Sequence, residues 1–245
     1  STHADSELNV NGANLKAVKA VKGNDGNIWL TASNKVVDEG AKITTVNATG
    51  AESRDGGNVR FLAGKKVSVG TNDINAVGKV EFISQGHDVV VDKSNVTAAK
   101  DVTLTAKRIA SIQNGSVVKG DNVTVSGETR GQVANSQVTA AKDINITGGD
   151  LAWTNKATLN AGNDVNITAT NGYLLLQDST ATAKNNVNLK SKDTISNNNV
   201  TGSTFTATKN VALESTADSI ILTDKTPFKP SGTLDLTAAK NVEIN

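Results

Sequence analysis

The decapeptide VTAAKDVTLT runs from Val96 to Thr105, returns as VTAAKDINIT from Val138 to Thr147, and stands again as LTAAKNVEIN from Leu236 to Asn245. Each copy ends in an apolar-x-apolar triplet. Such triplets begin at Leu8, Ile28, Val59, Val80, Val102, Val123, Ile144, Val165, Val187, Val211 and Val242. Their successive spacings are 20, 31, 21, 22, 21, 21, 21, 22, 24 and 31 residues. A period near 21 that holds through the middle of the chain restricts it to repeat architectures, in which each unit buries its apolar face only against its neighbours.

Within each triplet, apolar and mostly polar residues alternate with the two-residue period of a strand. Thr, Val and Asn are poor helix formers. A second apolar cluster usually follows the triplet (Val67 with Val69, Val89 with Val91, Leu174 with Leu176), and a third precedes the next (Val96, Val118, Val138, Leu159). Three short strands per repeat predict a single parallel β-helix, all-β, occupying residues 1–245 as one domain. Stacked coils climb about 4.8 Å each, so roughly ten coils make a rod on the order of 50 Å long. Hydrophobic residues are 37% of the chain and aromatics 3%, which implies a thin interior of Val, Ile, Leu and Ala rather than rings.

The residue ahead of each triplet is nearly always Asn or Asp: Asn27, Asn58, Asp101, Asn122, Asp143, Asp164, Asn186, Asn210 and Asn241, with Lys79 the exception. Asx side chains bond their own backbone in turns, so these positions read as corners. Asn145, Asn166 and Asn188 share the middle position of successive triplets and predict an outward amide ladder. Two spacings of 31 residues predict insertions that loop out of the coil, at 31–57 and at 223–233.

Several function classes are disfavoured. With 25 Lys+Arg against 24 Asp+Glu and no basic stripe, nucleic acid is not an expected partner. No apolar run reaches the ~20 residues of a membrane span. There is no Cys, hence neither disulfide nor thiolate metal site. The amino-terminal STHADSELNV lacks a signal pattern, and the chain contains no Met, which suggests an interior piece of something longer.

The units AAKDVTLTA, AAKDINITG and AGNDVNITA resemble the repeats of filamentous-haemagglutinin-like exoproteins, the secreted partners of two-partner secretion systems in Gram-negative bacteria. The resemblance is clearest from Asn58 to Asn245. It implies a right-handed β-helix, export through an outer-membrane partner by a domain outside this chain, and display at the cell surface. Members include adhesins and contact-dependent growth-inhibition effectors. The family's amino-terminal NPNL-like motif is absent, since Pro occurs only at Pro227 and Pro230.

No catalytic, cofactor-binding or metal-binding residues are assigned. Asp101, Asp143 and Asp164 raise the question of stacked calcium sites, but the glycine-rich nonapeptide of calcium β-rolls is missing and Asx corners explain them better. His3 and His87 have no ligand-like spacing. Arg60 and Glu81 are neighbours in the triplet column, where a cross-coil ion pair is expected rather than an acid–base site. The Thr-x-Thr of VTLT does not persist as the flat array an ice-binding face needs; it becomes Asn-x-Lys at Lys190.

Candidate partner-binding residues lie on the long loops and one outward aromatic. Arg54 and Asp55 fall at the tip of the first loop. Phe228, between two prolines and flanked by Lys225 and Lys229, is the expected exposed anchor on the second, the alternative for either loop being a tolerated insertion with no partner. Trp29 points outward, as a contact residue or packed beneath the first loop. The expected function is a structural and adhesive segment of a secreted surface exoprotein, not an enzyme, binding a glycan or protein of a host or neighbouring cell. The alternatives are a non-adhesive stalk presenting a toxin, and a β-helix polysaccharide lyase or hydrolase.

Overall fold

The computed structural model describes residues 6–20, 25–49, 55–198, 202–223 and 227–245. Among them are thirty-one strands and no helix. The strands form three parallel sheets of eleven, ten and ten, and the chain visits them in strict rotation. The parallel β-solenoid expected from the period is therefore observed.

Stacking is in register. Val102, Val123, Ile144 and Val165 pair in sequence down the third sheet, and all four are wholly buried. The same column continues up to Ile28 and down to Val211. Alternation then sends the neighbouring Thr103, Thr124, Asn145 and Asn166 to the outer face. Each fully buried aliphatic contributes about 1.5–3 kcal/mol, which a lone coil with no neighbour above or below cannot realise.

The interior departs from expectation in one respect. It does hold rings: Phe61, Phe82 and Phe205 are buried, and Phe228 packs against the same core. They stack in pairs, Phe61 on Phe82 at 4.9 Å and Phe205 on Phe228 at 5.8 Å. In-register coils place like residues one step apart, and one 4.8 Å step is the distance at which offset rings pack.

Two triplets belong to a different sheet from the other nine. Leu8 pairs with Val36, and Val242 with Ile220, both in the first sheet. The true successor of Val211 is Leu234, 23 residues on. The decapeptide at Leu236 thus turns from the third sheet to the first, whereas its two relatives turn from the second to the third. The expected insertion at 223–233 is corrected accordingly: Phe228–Pro230 is the last strand of the second sheet. The insertion at 31–57 also shrinks. Lys35–Glu39 and Lys42–Asn47 are ordinary coil strands, and the extra residues fall between Asn47 and Val59.

Each corner has its own device. Between the first and second sheets a left-handed residue recurs in coil after coil: Gly12, Gly40, Thr71, Lys93, Asn114, Asn135, Lys156, Asp178 and Asn198, with φ from 45° to 71°. A buried small residue follows most of them. Ser94 Oγ accepts the amide of Asn72 at 3.0 Å and donates to its own coil at Asp92 O, 2.7 Å. Ser116 does the same for Ser94 and Gln113, and Ser179 for Ala157 and Gln177. Buried amides at this bend, which the sheets leave unpaired, are satisfied in this way.

Between the second and third sheets stands the Asx column. Its side chains serve the next coil rather than their own: Asn58 Oδ1 accepts from Lys79 N at 2.8 Å, Asp143 from Asp164 N at 3.0 Å, and Asp164 from Asn186 N at 2.8 Å. Asn210 continues the pattern to Thr233 N at 3.0 Å. Lys79 has no acceptor to offer, and the chain of bonds breaks there.

Candidate functional site

The aromatic singled out by sequence, Trp29, is the most exposed large apolar residue described, at 60%. It sits on the outer face of the third sheet, in the strand Ile28–Ala32. Arg60, its register partner in the next coil, lays its guanidinium over the indole, 4.5 Å from the ring centroid. Such a cation–π contact holds the ring upright at a cost in neither burial nor charge. Arg60 therefore faces Trp29 rather than forming the expected ion pair with Glu81, which follows it in the column.

Two recesses flank this platform. One, of about 310 Å³, is bounded by Asp25, Gly26, Asn27 and Trp29. The other, of about 470 Å³, lies over Thr31 and Leu62 and reaches Ser33, Gly64 and Gln85 at the corner to the first sheet. Leu62 and Ile83 continue the half-exposed apolar surface on the same face. The arrangement offers a flat ring, a cation stacked on it, and polar groups at the edges.

The other expected contact residues are not gathered here. Asp55 is exposed and paired with Lys100 Nζ at 2.5 Å, which holds its carboxyl below the usual range. It clips the long connection onto a corner two coils on. Gly57 closes that connection, with φ +68° and Val77 only 2.3 Å from where a Cβ would stand, so no other residue fits without displacement. Phe228 is corrected from exposed anchor to interior: it continues the column of Phe205. Pro227 and Pro230 limit its neighbours' pairing without moving the ring outward. Lys229, alternating with it, does point out. Arg54, Lys225 and His3 lie outside the described residues. His87 approaches Arg108 Nη1 at 3.3 Å through Nδ1.

The Asn column behaves as a ladder, with Asn166 Nδ2 donating to Asn145 Oδ1 at 3.0 Å and Asn188 Nδ2 to Asn166 Oδ1 at 2.8 Å. The corner aspartates that raised the calcium question are spent on nitrogen donors: Asp101 and Asp143 each take an amide side chain as well as a backbone N–H. Cross-coil ion pairs recur on the surface, such as Lys107 with Glu128 at 2.6 Å and Lys190 with Glu214 at 2.8 Å. At this exposure each is worth at most about 1 kcal/mol.

One polar group was not anticipated. Asp38 lies in an inward column, in register with Val69, and is 1% exposed. Neither carboxylate oxygen has a hydrogen-bond partner. Alternation in KVVDE marks the position as inward, but only the register shows that the column below it is Val69 and Val91.

No family model, curated protein or solved structure matches the chain. Among the described residues, no helix is long and apolar enough to cross a membrane.

Proposed function

We propose that this chain is a structural and adhesive segment of a secreted exoprotein, displayed at the surface of a Gram-negative cell and touching a glycan or protein of a host or neighbouring cell. Its mechanism is mechanical. Coil is joined to coil by three sheets and, along much of the rod, by a Ser corner and an Asx corner, which together resist bending and extension. The observation that carries the adhesive part is Trp29, a large ring left in solvent and braced by Arg60. Exposed aromatics braced by a cation are disproportionately contact residues. No cofactor is required, and no chemistry is assigned to the chain.

The test displays the chain on beads and challenges them with arrays of surface glycans and matrix proteins. Retention is expected, and Trp29→Ala should reduce it at least tenfold while leaving the circular dichroism spectrum unchanged. Retention indifferent to Trp29→Ala removes the platform from the account. Silence across the arrays leaves the stalk reading, for which the three continuous in-register sheets are the supporting observation.

A further inference from the structure

On a different face, the outer side of the first sheet carries a notch one coil wide. Its column runs Gln132, Trp153, Leu175, Ser196, Ile221. Large side chains stand on either side of Ser196, and two 4.8 Å steps separate Leu175 from Ile221, about 10 Å. The adjoining column drops in the same place, from Tyr173 to Thr194. The coil responsible is the one whose first-sheet strand is shortest, Ile195–Ser196. The result is an open cleft of about 420 Å³, within the roughly 300–1,000 Å³ of small-molecule sites.

Its lining is chemically mixed. Tyr173 presents a ring that is 46% exposed. Thr194 and Ser196 supply hydroxyls at the base. Asp193 and Asp218 stand at one end of the short strand and Asn198 at the other. Asp218 is engaged: Lys240 Nζ lies 3.1 Å away and Thr194 Oγ1 donates to it at 3.1 Å, which together hold its carboxyl below the usual range. Asp193 uses its backbone carbonyl to accept from Ser191 and Ser215, but its carboxylate forms no ion pair among the described residues. Among the described residues the lining carries two carboxylates, of which Asp218 is ion-paired, to Lys240, and Asp193 is not.

We propose that this cleft binds a saccharide that is neutral or amino-substituted. A sugar ring has an apolar face, which fits against Tyr173 and Leu175, and an equatorial rim of hydroxyls, which fits the Asp193, Ser196 and Asn198 acceptors and donors. The residual negative charge repels uronic, sialic and sulfated sugars. An entirely apolar ligand would leave the carboxylate and hydroxyls unpaired. This contact is independent of the Trp29 platform and goes beyond the adhesive reading by naming a ligand class.

Tyr173 is the only tyrosine, so protein grown with 3-fluorotyrosine has one fluorine resonance, at the cleft. The experiment titrates it with neutral oligosaccharides, an amino-sugar oligomer, an oligouronide and a lysine-rich peptide, up to 10-fold above the weakest fitted Kd or to a limit of about 20 mM, the weak end of single-ring recognition. A saturable shift is expected with a neutral or amino sugar. Ser196→Phe, which fills the notch, should abolish it, and Asp193→Asn should weaken it at least threefold. Thr103→Ala, on another sheet, should leave it intact. No shift with any saccharide, a shift only with the oligouronide or the peptide, or a response that survives Ser196→Phe would each overturn the proposal. Bead retention that persists in that event leaves the Trp29 contact standing.

Discussion

Asp38→Val should make the rod more stable at neutral pH, although it removes the only charge in its column. The carboxylate occupies the place that Val69, Val91, Ile112 and Val133 fill in the following coils. Burial pushes its pKa from 3.8 up to about 6; the Asn72 side chain offsets part of this without hydrogen bonding to it, and the Glu39 charge adds to it. Because the folded value is the higher, the folded state holds its proton over a range where the unfolded chain has lost it. The penalty is thus absent below about pH 3.8, grows as pH rises, and is complete above about 6. Some 2 pH units at about 1.4 kcal/mol each give on the order of 2–3 kcal/mol at pH 7. Valine removes that penalty and adds apolar contact with Val69 worth about 1 kcal/mol more. Urea melts of parent and variant at pH 4, 5.5 and 7 measure the difference. Because repeat arrays open locally, amide exchange in Lys35–Glu39 and Lys66–Gly70 should report it alongside. The gain should be largest at pH 7 and shrink toward pH 4. A variant no more stable than the parent at pH 7, or a difference that does not change with pH, would refute the reasoning.

Other substitutions probe the packing and the corners. Phe82→Ala empties a fully buried ring position stacked on Phe61 and should cost about 3–5 kcal/mol by denaturant melts, whereas Phe82→Leu, copying Leu104 in the next coil, should cost less than about 1.5 kcal/mol. Ser116→Ala strips the acceptor from the Ser94 amide and the donor from Gln113 O; a loss of about 1–3 kcal/mol is expected, with faster exchange of the Ser94 amide. Lys156→Gly relieves a left-handed conformation at φ 49° and should raise stability by about 0.5–1 kcal/mol in the same melts.

The path of the chain was legible wherever the period was regular. From Val59 to Val211 the triplets and the observed third-sheet column coincide, because alternation and a 21-to-24-residue spacing leave one register in which aliphatics point inward. It misled at the carboxy-terminal end. LTAAKNVEIN copies the local pattern of strand, corner, strand, and a pattern of that kind does not say which of three corners it turns. Only pairing with Ile220 and Ile221 places Val242 and Glu243 in the first sheet. Phe228 failed for a related reason: flanking prolines suggest a loop, while the column of Phe205 that recruits the ring is 23 residues away. The Ser corner was readable in principle, since KSNV, GSVV, NSQV and DSTA recur in phase with the period. Trp29 was correctly placed outside by alternation alone. The notch at Ser196 was not readable, because it depends on which large residues lie one coil above and below.

The central claim is stacking in register, and distances between spin labels test it directly. The chain has no native Cys, so paired cysteines label cleanly. From Thr103→Cys, the same outer column passes through Thr124, Asn145 and Asn166 to Asn188, then Ala212 and Asp235. Labels on Thr103 and Asn188, four coils apart, should lie about 19 Å from one another, and labels on Thr103 and Asp235, six coils apart, about 29 Å. Distances that grow linearly at about 4.8 Å per coil are the predicted result. Distances that do not increase along the column would contradict the fold and everything built on it.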